Sequence, residues 1–138
     1  MKRLLGLVLL VAIISSCSLA FAEESQTRAS ELIIDWAVYA NDYGNGNVEF
    51  TADITTLGSV DKLGFTSLKL QEKQGSKWVT VKSATDKYAY GIAVYSYSLS
   101  YGGTPGNQYR FVVKYYAKDG DIVETRSTTS SVLTAKHS

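Results

Sequence analysis

Apolar residues alternate with polar ones along most of the chain from residue 32 onwards, and this period of two predicts half-buried β-strands. The clearest run covers 48–54, where the residues between the apolar ones are Glu49, Thr51 and Asp53. A similar alternation over 32–40 predicts a first strand, although a short helix also fits that segment. The inward side chains predicted for these two strands are Leu32, Ile34, Trp36, Val38, Ala40, Val48, Phe50, Ala52 and Ile54.

Five further strands are predicted at short intervals along the rest of the chain. A third strand, from about 65 to 73, turns at 74–76 into a fourth strand that contains Trp78. The fifth strand has tyrosines and Leu99 on one face and serines on the other. The last two run over about 109–115 and 122–134, and the second of these is rich in serine and threonine.

Turn-forming residues separate these runs. The segments 41–47, 61–64, 102–107 and 118–121 each combine glycine with asparagine, aspartate or proline, which favour tight turns. About seven short strands at this spacing are typical of an immunoglobulin-like β-sandwich. The sequence therefore predicts a single all-β antiparallel sandwich over residues 32–134.

One local segment resembles a known fold family. Residues 104–113, TPGNQYRFVV, are similar to the start of the sixth strand of fibronectin type III domains, where a proline-glycine turn precedes a tyrosine and an alternating apolar run. In such folds the tyrosine hydroxyl bonds to the backbone a few residues upstream and forms a tyrosine corner. The resemblance implies that Tyr109 has this role, and an ordinary buried tyrosine is the alternative.

Most of the chain also resembles a group of small, uncharacterised bacterial secreted proteins. The shared features are an export signal, paired alternating strands, the Leu63-Gly64-Phe65 step, the Trp78 hairpin and the Gly106-x-x-Tyr109-Arg110 strand. The resemblance covers most of residues 32–134, and each shared element is short and permits many substitutions. It implies an immunoglobulin-like, fibronectin type III-like fold and no particular function.

Residues 1–22 have the pattern of an export signal. Two basic residues precede the apolar run 4–14, and Ala20-Phe21-Ala22 forms a small-x-small cleavage site. This predicts cleavage after Ala22 and a secreted protein that begins with a polar leader, 23–31, and ends with a flexible tail, 135–138. The uncharged run is shorter than the ~20 residues of a spanning helix, so we expect no transmembrane helix in the mature chain.

Lipid attachment is the alternative to simple cleavage. The residues Ile14-Ser15-Ser16-Cys17 resemble the lipobox of bacterial lipoproteins, in which the cysteine becomes the acylated first residue. In that case Cys17 would anchor the protein at the cell surface. Since Cys17 is the only cysteine of the chain, neither alternative leaves a disulfide in the mature domain.

The charge balance argues against a nucleic-acid partner. Among 138 residues, 14 are lysine or arginine and 13 are aspartate or glutamate, a formal net charge of +1. Nucleic-acid binding depends on clustered basic residues at the phosphates. The lysines that recur through the middle of the chain are interpreted as a solvated face.

The usual catalytic side chains are sparse. The one histidine, His137, is next to last in the chain, and a general base needs a held position. Glu49 and Asp53 are roughly 13 Å apart along one strand, farther than the ~5–9.5 Å that glycosidases use. The oxygen donors of the loop 41–47 are interpreted as a turn rather than a calcium site. The sequence thus predicts no enzyme, no cofactor and no bound metal.

Ten tyrosines and two tryptophans are the strongest functional hint. Tyrosine on a rigid scaffold gives a large amphipathic contact area at low entropic cost. Those expected at the surface are Tyr43, Tyr88, Tyr90 and Tyr116. We therefore expect a non-enzymatic module that binds an extracellular protein or glycan. The alternative is a structural protein that self-associates through its serine- and threonine-rich last strand, which is a possible open edge.

Overall fold

The computed structural model describes residues 32–138, which form strands and loops without a helix. Nothing in this range could cross a membrane as a long apolar helix. All strand pairs are antiparallel, so the predicted all-β antiparallel class is confirmed. The strands are β1 (Ile33–Gly44), β2 (Asn47–Gln74), β3 (Lys77–Gly102), β4 (Gln108–Asp119), β5 (Ile122–Thr129) and β6 (Leu133–Thr134).

The signal peptide 1–22, its cleavage at Ala22, the lipidation alternative at Cys17 and the leader 23–31 all lie outside the described residues. They remain predictions of the sequence.

The strands form one curled sheet that is organised around a long hairpin of β2 and β3. The first half of β2 lies between β1 and the second half of β3, with Ile54 opposite both Trp36 and Tyr95. The second half of β2 lies between the first half of β3 and β4, and β4 pairs in turn with β5 and β6. We call these regions the first half and the second half of the curled sheet.

The two halves meet at a bend in β2 over residues 56–59, opposite residue 93 of β3. The Thr56 hydroxyl lies 2.7 Å from the Gly58 carbonyl oxygen and 3.3 Å from that of Ala93, which supports the bend. The Leu57 side chain projects into solvent and is 87% exposed.

Six strands are therefore observed where about seven are predicted. The turn expected at 61–64 is part of β2, where Leu63 is fully buried, and the irregularity in the strand lies at 56–59 instead. The first predicted element is a strand rather than a helix. The last predicted strand is divided into β5 and β6, both of which pair with β4.

The core lies between the inward rows of the two halves. Phe50 of the first half stacks on Phe111 of the second half, with ring centroids 5.5 Å apart. Phe65 packs against Tyr95 at 5.7 Å and against Tyr115 at 5.5 Å. The predicted inward row of 48–54 is buried throughout. The other fully buried large side chains are Ile33, Leu63, Leu68, Leu70, Tyr109 and Val113.

Two-residue turns close the hairpins as the sequence predicts. Asn45 and Gly46 both have positive φ, 55° and 83°, which a type I′ turn requires and which the Asn-Gly pair favours. Because this turn is so short, β1 and β2 extend into the segment 41–47 that was expected to be a loop.

The tail 135–138, expected to be flexible, is held by backbone hydrogen bonds in this structure. The Ala135 N–H donates to the Asn107 carbonyl at 2.9 Å, and the Gly106 N–H donates to the Ala135 carbonyl at 2.8 Å. The Gly46 N–H donates to the Lys136 carbonyl at 3.1 Å. The tail therefore connects the β1–β2 turn with the loop before β4.

Candidate functional site

Two of the candidate tyrosines meet on the outer face of the second half of the sheet. Tyr88 of β3 and Tyr116 of β4 are both register partners of Gly64 in β2. Because Gly64 has no side chain, the two rings contact edge to face, with centroids 5.4 Å apart. A Cβ on Gly64 would lie 2.0 Å from the Lys87 carbonyl oxygen, so the close approach of β3 also requires glycine here.

A lysine and a third tyrosine complete this group. Lys62 lies two residues before Gly64 on the same face, and its Nζ is 4.2 Å from the Tyr88 centroid and 5.4 Å from that of Tyr116. Such positions allow cation–π attraction. Tyr90 is the β3 register partner of Lys62 and is 69% exposed. We call Lys62, Tyr88, Tyr90 and Tyr116 the aromatic–lysine cluster.

The fourth candidate, Tyr43, lies elsewhere, at the end of β1 in the first half of the sheet. It is 66% exposed, and its hydroxyl donates a hydrogen bond of 3.1 Å to Glu49 Oε1. That hydrogen bond is the main reason why the pKa of Tyr43 is raised. Three of the four predicted tyrosines thus come together, and Tyr43 does not join them.

Tyr109 is fully buried at the start of β4, and its hydroxyl group takes part in two hydrogen bonds. It accepts a 2.8 Å hydrogen bond from the Thr104 backbone N–H, and it donates a 2.5 Å hydrogen bond to Glu72 Oε2. The first of these is the kind of contact on which a tyrosine corner depends. A Cβ on Gly103 would lie 2.2 Å from this hydroxyl, so the position of the Tyr109 ring also requires glycine at 103.

The Tyr109–Glu72 contact changes the titration of both groups. Burial, followed by the hydrogen bond to Glu72, raises the pKa of Tyr109 to about 12. The hydrogen bond from Tyr109 lowers the pKa of Glu72 even though burial opposes that shift. The other oxygen of Glu72 accepts a 2.9 Å hydrogen bond from Gln74 Nε2. This carboxylate is therefore a structural acceptor.

The outer face of the second half also carries a strip of cations that the sequence interpretation missed. The register of β2 with β4 places lysines and Arg110 on the side opposite to the buried Leu68, Leu70 and Phe111. Arg110 also lies over the Trp78 ring, with its Cζ 4.4 Å from the centroid, and donates from Nε to Gln71 Oε1 at 2.8 Å. We call the following residues the cationic strip: Lys62, Lys69, Lys73, Arg110, Lys114 and Lys118.

Part of this strip was visible in the sequence. Arg110, Lys114 and Lys118 share one parity on a strand whose other parity is apolar, which places them together on the outer face. Their alignment with the β2 lysines was not visible, because a register shift between Phe65 and Ser67 separates Lys62 from Lys69 and Lys73.

Among residues 32–138, an ion pair joins Arg126 to Glu124 at 3.0 Å. The residues of the cationic strip form no ion pair with a carboxylate in this part of the chain. Carboxylates gather instead on the outer face of the first half. There Ser100 Oγ donates to Glu49 Oε2 at 3.2 Å, and Ser96 Oγ donates to Asp53 Oδ1. Apart from Asp86, whose Oδ1 accepts a 3.3 Å hydrogen bond from the Tyr88 hydroxyl, the outer faces of the two halves differ in the sign of their charge.

The side chains that could bind a metal ion are either separated from one another or already engaged in structural hydrogen bonds. In the described part of the chain, no three side chains of the histidine, cysteine, aspartate and glutamate types are grouped so that they could hold a metal ion. In the segment 41–47, the Asp42 carboxylate accepts hydrogen bonds from the Gly44 and Lys136 backbone N–H groups, both at 3.0 Å.

Comparison with known proteins gives no family. No protein-family model matches the chain, and no curated protein is significantly similar to it.

Proposed function

We propose that this chain is an exported, non-enzymatic module that binds an extracellular protein or glycan through the aromatic–lysine cluster. The observation that carries the proposal is the convergence of Lys62, Tyr88, Tyr90 and Tyr116 on one outward face. Aromatic side chains that are grouped at a surface are typical of interaction sites, whereas scattered ones need no explanation.

The cluster has properties that suit recognition. Its side chains stand on three neighbouring strands, so the backbone beneath them is held by the sheet ladder. The edge-to-face contact of Tyr88 with Tyr116 restricts both rings before a ligand arrives, which lowers the entropic cost of binding. Tyr90 extends from the same face as a largely exposed aromatic surface.

The non-enzymatic part of the proposal is supported by where the acidic groups lie. Glu49 and Asp53 accept hydrogen bonds from neighbouring hydroxyl groups, and Glu72 is buried against Tyr109. General acid–base catalysis needs a group that can reach a substrate.

We further propose a fibronectin type III-like sandwich as the architecture. If β2 and β3 are each counted as two strands at the bend and the two-residue β6 is set aside, seven strands fall into groups of three and four, as in immunoglobulin-like sandwiches. The Tyr109 contact with Thr104 and the stacking of Phe50 on Phe111 between the two groups support the same architecture.

The proposed site of action is outside the cytoplasm, with the secreted form preferred and a lipid anchor at Cys17 as the alternative. The support is the export-signal pattern of residues 1–22. The intact mass of the exported protein distinguishes cleavage after Ala22 from acylation of Cys17.

The binding proposal is tested with an array of bacterial wall glycans, host-surface glycans and matrix proteins, probed with the purified chain. We expect a bound probe whose affinity falls about tenfold or more in the variant Tyr88→Ser/Tyr90→Ser, equivalent to about 1.4 kcal/mol. Tyr43→Ser is the matched control, because it removes an equally exposed ring from the other half of the sheet.

Tyr90→Ser alone guards against a folding defect, because this ring is largely exposed and should weaken the same probe without lowering the melting temperature. The proposal is wrong if no probe binds the native chain, or if Tyr43→Ser weakens binding as much as the cluster variants do.

A further inference from the structure

The cationic strip extends the proposed binding site far beyond the aromatic–lysine cluster. Lys62, Lys69 and Lys73 follow β2, and Arg110, Lys114 and Lys118 follow the neighbouring β4. Eleven residues of extended chain separate Lys62 from Lys73 in the sequence, which corresponds to roughly 36 Å. The surface is therefore long and open, and it suits a chain-like ligand.

The strip carries more positive charge than the carboxylates near it in the described part of the protein compensate. Lys62 and Lys118 are direct register partners across β2 and β4, and like charges in that position destabilise a sheet. No carboxylate of residues 32–138 forms an ion pair with the strip: Asp86 at this face accepts a hydrogen bond from the Tyr88 hydroxyl, and Asp35, Glu49 and Asp53 lie on strands of the other half. A bound polyanion would offset this repulsion.

Aromatic rings lie near both ends of the strip. The aromatic–lysine cluster surrounds Lys62, and Trp78 lies against Arg110 and is the register partner of Lys73. Flat apolar rings beside positive charges match the two properties of an acidic sugar, which has an apolar ring face and a negative substituent.

We propose that the ligand of this face is an anionic polysaccharide that lies along the cationic strip, with a sugar ring against the exposed Tyr90 and acidic groups at the lysines. This inference rests on the proposed binding function and specifies its ligand class. A polyol phosphate carries negative charge but has no sugar ring to lie against Tyr90, so the acidic group that we propose is the carboxylate of a polyuronate.

Other polyanionic partners fit the face less well. An acidic peptide that adds a strand needs an open sheet edge, but β2 and β4 are paired on both sides. Single-stranded nucleic acid stacks its bases on open aromatic faces, whereas Tyr88 and Tyr116 contact each other and lie under Lys62. A second copy would offer Glu49 and Asp53, which already accept hydrogen bonds from serine hydroxyls.

The test measures binding of the purified chain to polygalacturonate, poly(glycerol phosphate), neutral dextran and oligothymidylate, at about 50 mM and about 300 mM NaCl. We expect binding to polygalacturonate, weakened by salt, and much weaker binding to dextran and to poly(glycerol phosphate). A preference for poly(glycerol phosphate) would show that negative charge without a sugar ring is sufficient, and it would overturn the proposed contact of a sugar ring with Tyr90.

The variant Lys69→Gln/Lys114→Gln should weaken binding of the acidic polymer about tenfold or more, because each lysine near an anionic surface contributes substantially to attraction. The matched control Lys87→Gln/Lys136→Gln loses the same charge outside the strip and should change the affinity less than about threefold. Melting temperatures verify that all variants fold.

Several outcomes overturn the inference. Equal binding of dextran, salt-independent binding, a preference for oligothymidylate, or an equal effect of the control variant would each exclude an anionic polysaccharide on the strip. Self-association that is lost with Lys69→Gln/Lys114→Gln would assign the strip to a second copy. If the chain binds a neutral glycan and this binding depends on Tyr90 but not on the lysines, the proposed binding function stands and only the anionic ligand class is wrong. If no ligand on the array binds, both the proposed function and this inference are wrong.

Discussion

Phe111→Ala should lower the free energy of unfolding by about 3–5 kcal/mol, the largest effect that we expect from a single substitution in this chain. Phe111 is fully buried, stacks on Phe50 of the first half of the sheet and is the register partner of Leu70. Removal of the ring leaves a cavity between rows that belong to different strands, so no single neighbour can fill it. Urea unfolding followed by tyrosine and tryptophan fluorescence measures the loss.

Val112→Ala is the control for Phe111→Ala, because Val112 is the next residue of β4, faces outward and is only half-buried. Its expected loss is below about 1 kcal/mol, within the range of strand-propensity effects. Phe111→Ala could instead lower the free energy of unfolding no more than Val112→Ala does, with the same dependence on urea concentration. In that case the contact between the two halves would not be a main source of stability.

Tyr109→Phe should lower the free energy of unfolding by about 2–3 kcal/mol near neutral pH, because it deletes one hydroxyl that serves two partners. Glu72 loses its donor while it remains buried, and the Thr104 N–H loses its acceptor. The ring itself stays, so the aromatic packing is kept. A loss below about 0.5 kcal/mol would mean that water replaces both contacts.

The Tyr109 contact also predicts a pH dependence at both ends of the scale. The pKa of Glu72 is lower in the folded protein than its ordinary value of 4.5, so its contribution is present above that pH and is lost as the pH falls through the folded-state pKa. The pKa of Tyr109 is raised from 10.0 to about 12, so its contribution is present below pH 10 and is lost as the pH rises towards 12.

The difference in stability between the native chain and Tyr109→Phe should therefore shrink at both extremes of pH. A double-mutant cycle with Glu72→Gln separates this pair from its surroundings, with an expected coupling above about 1 kcal/mol near neutral pH. Additive effects of the two substitutions would show that the carboxylate does not depend on the tyrosine hydroxyl.

Alternation in the sequence predicts much of the fold because the strands obey it where one face is buried and the other is wet. The segment 48–54 and the apolar parity of β4 are buried as expected, and Gly46 and Gly75 lie in turns. The position of the bend was not predictable in this way. It depends on the Thr56 hydroxyl and on the burial of Leu63, and neither changes the local pattern.

Bulges and edges explain why both tryptophans differ from the predicted inward position. A register shift between Leu70 and Gln71 accompanies the outward position of Trp78, where it contacts Arg110. Trp36 has the inward parity, as the partner of Ile54, but it is 38% exposed because β1 is an edge strand that pairs only with β2. Its Nε1 donates to Thr128 Oγ1 of β5 at 3.1 Å.

The candidate site was predictable as single residues but not as a surface. Exposed tyrosines could be selected by their parity, and three of the four lie together. Their convergence depends on the pairing of β3 and β4 with opposite sides of β2 at Gly64. Such pairing between distant segments leaves no trace in the local pattern.

The order of the strands also has a consequence for the way in which the chain folds. The pairs β1–β2, β2–β3 and β4–β5 are hairpins between neighbours in the sequence, whereas β2 reaches β4 across at least 37 residues, at Glu72 and Tyr109. Isolated hairpins are marginal in water, so we expect the rate-limiting barrier to be crossed when the β4–β5 hairpin docks on β2. Substitution of Phe111 should then slow refolding in stopped-flow experiments, with a φ-value above about 0.3, and a φ-value near zero would place this docking after the barrier.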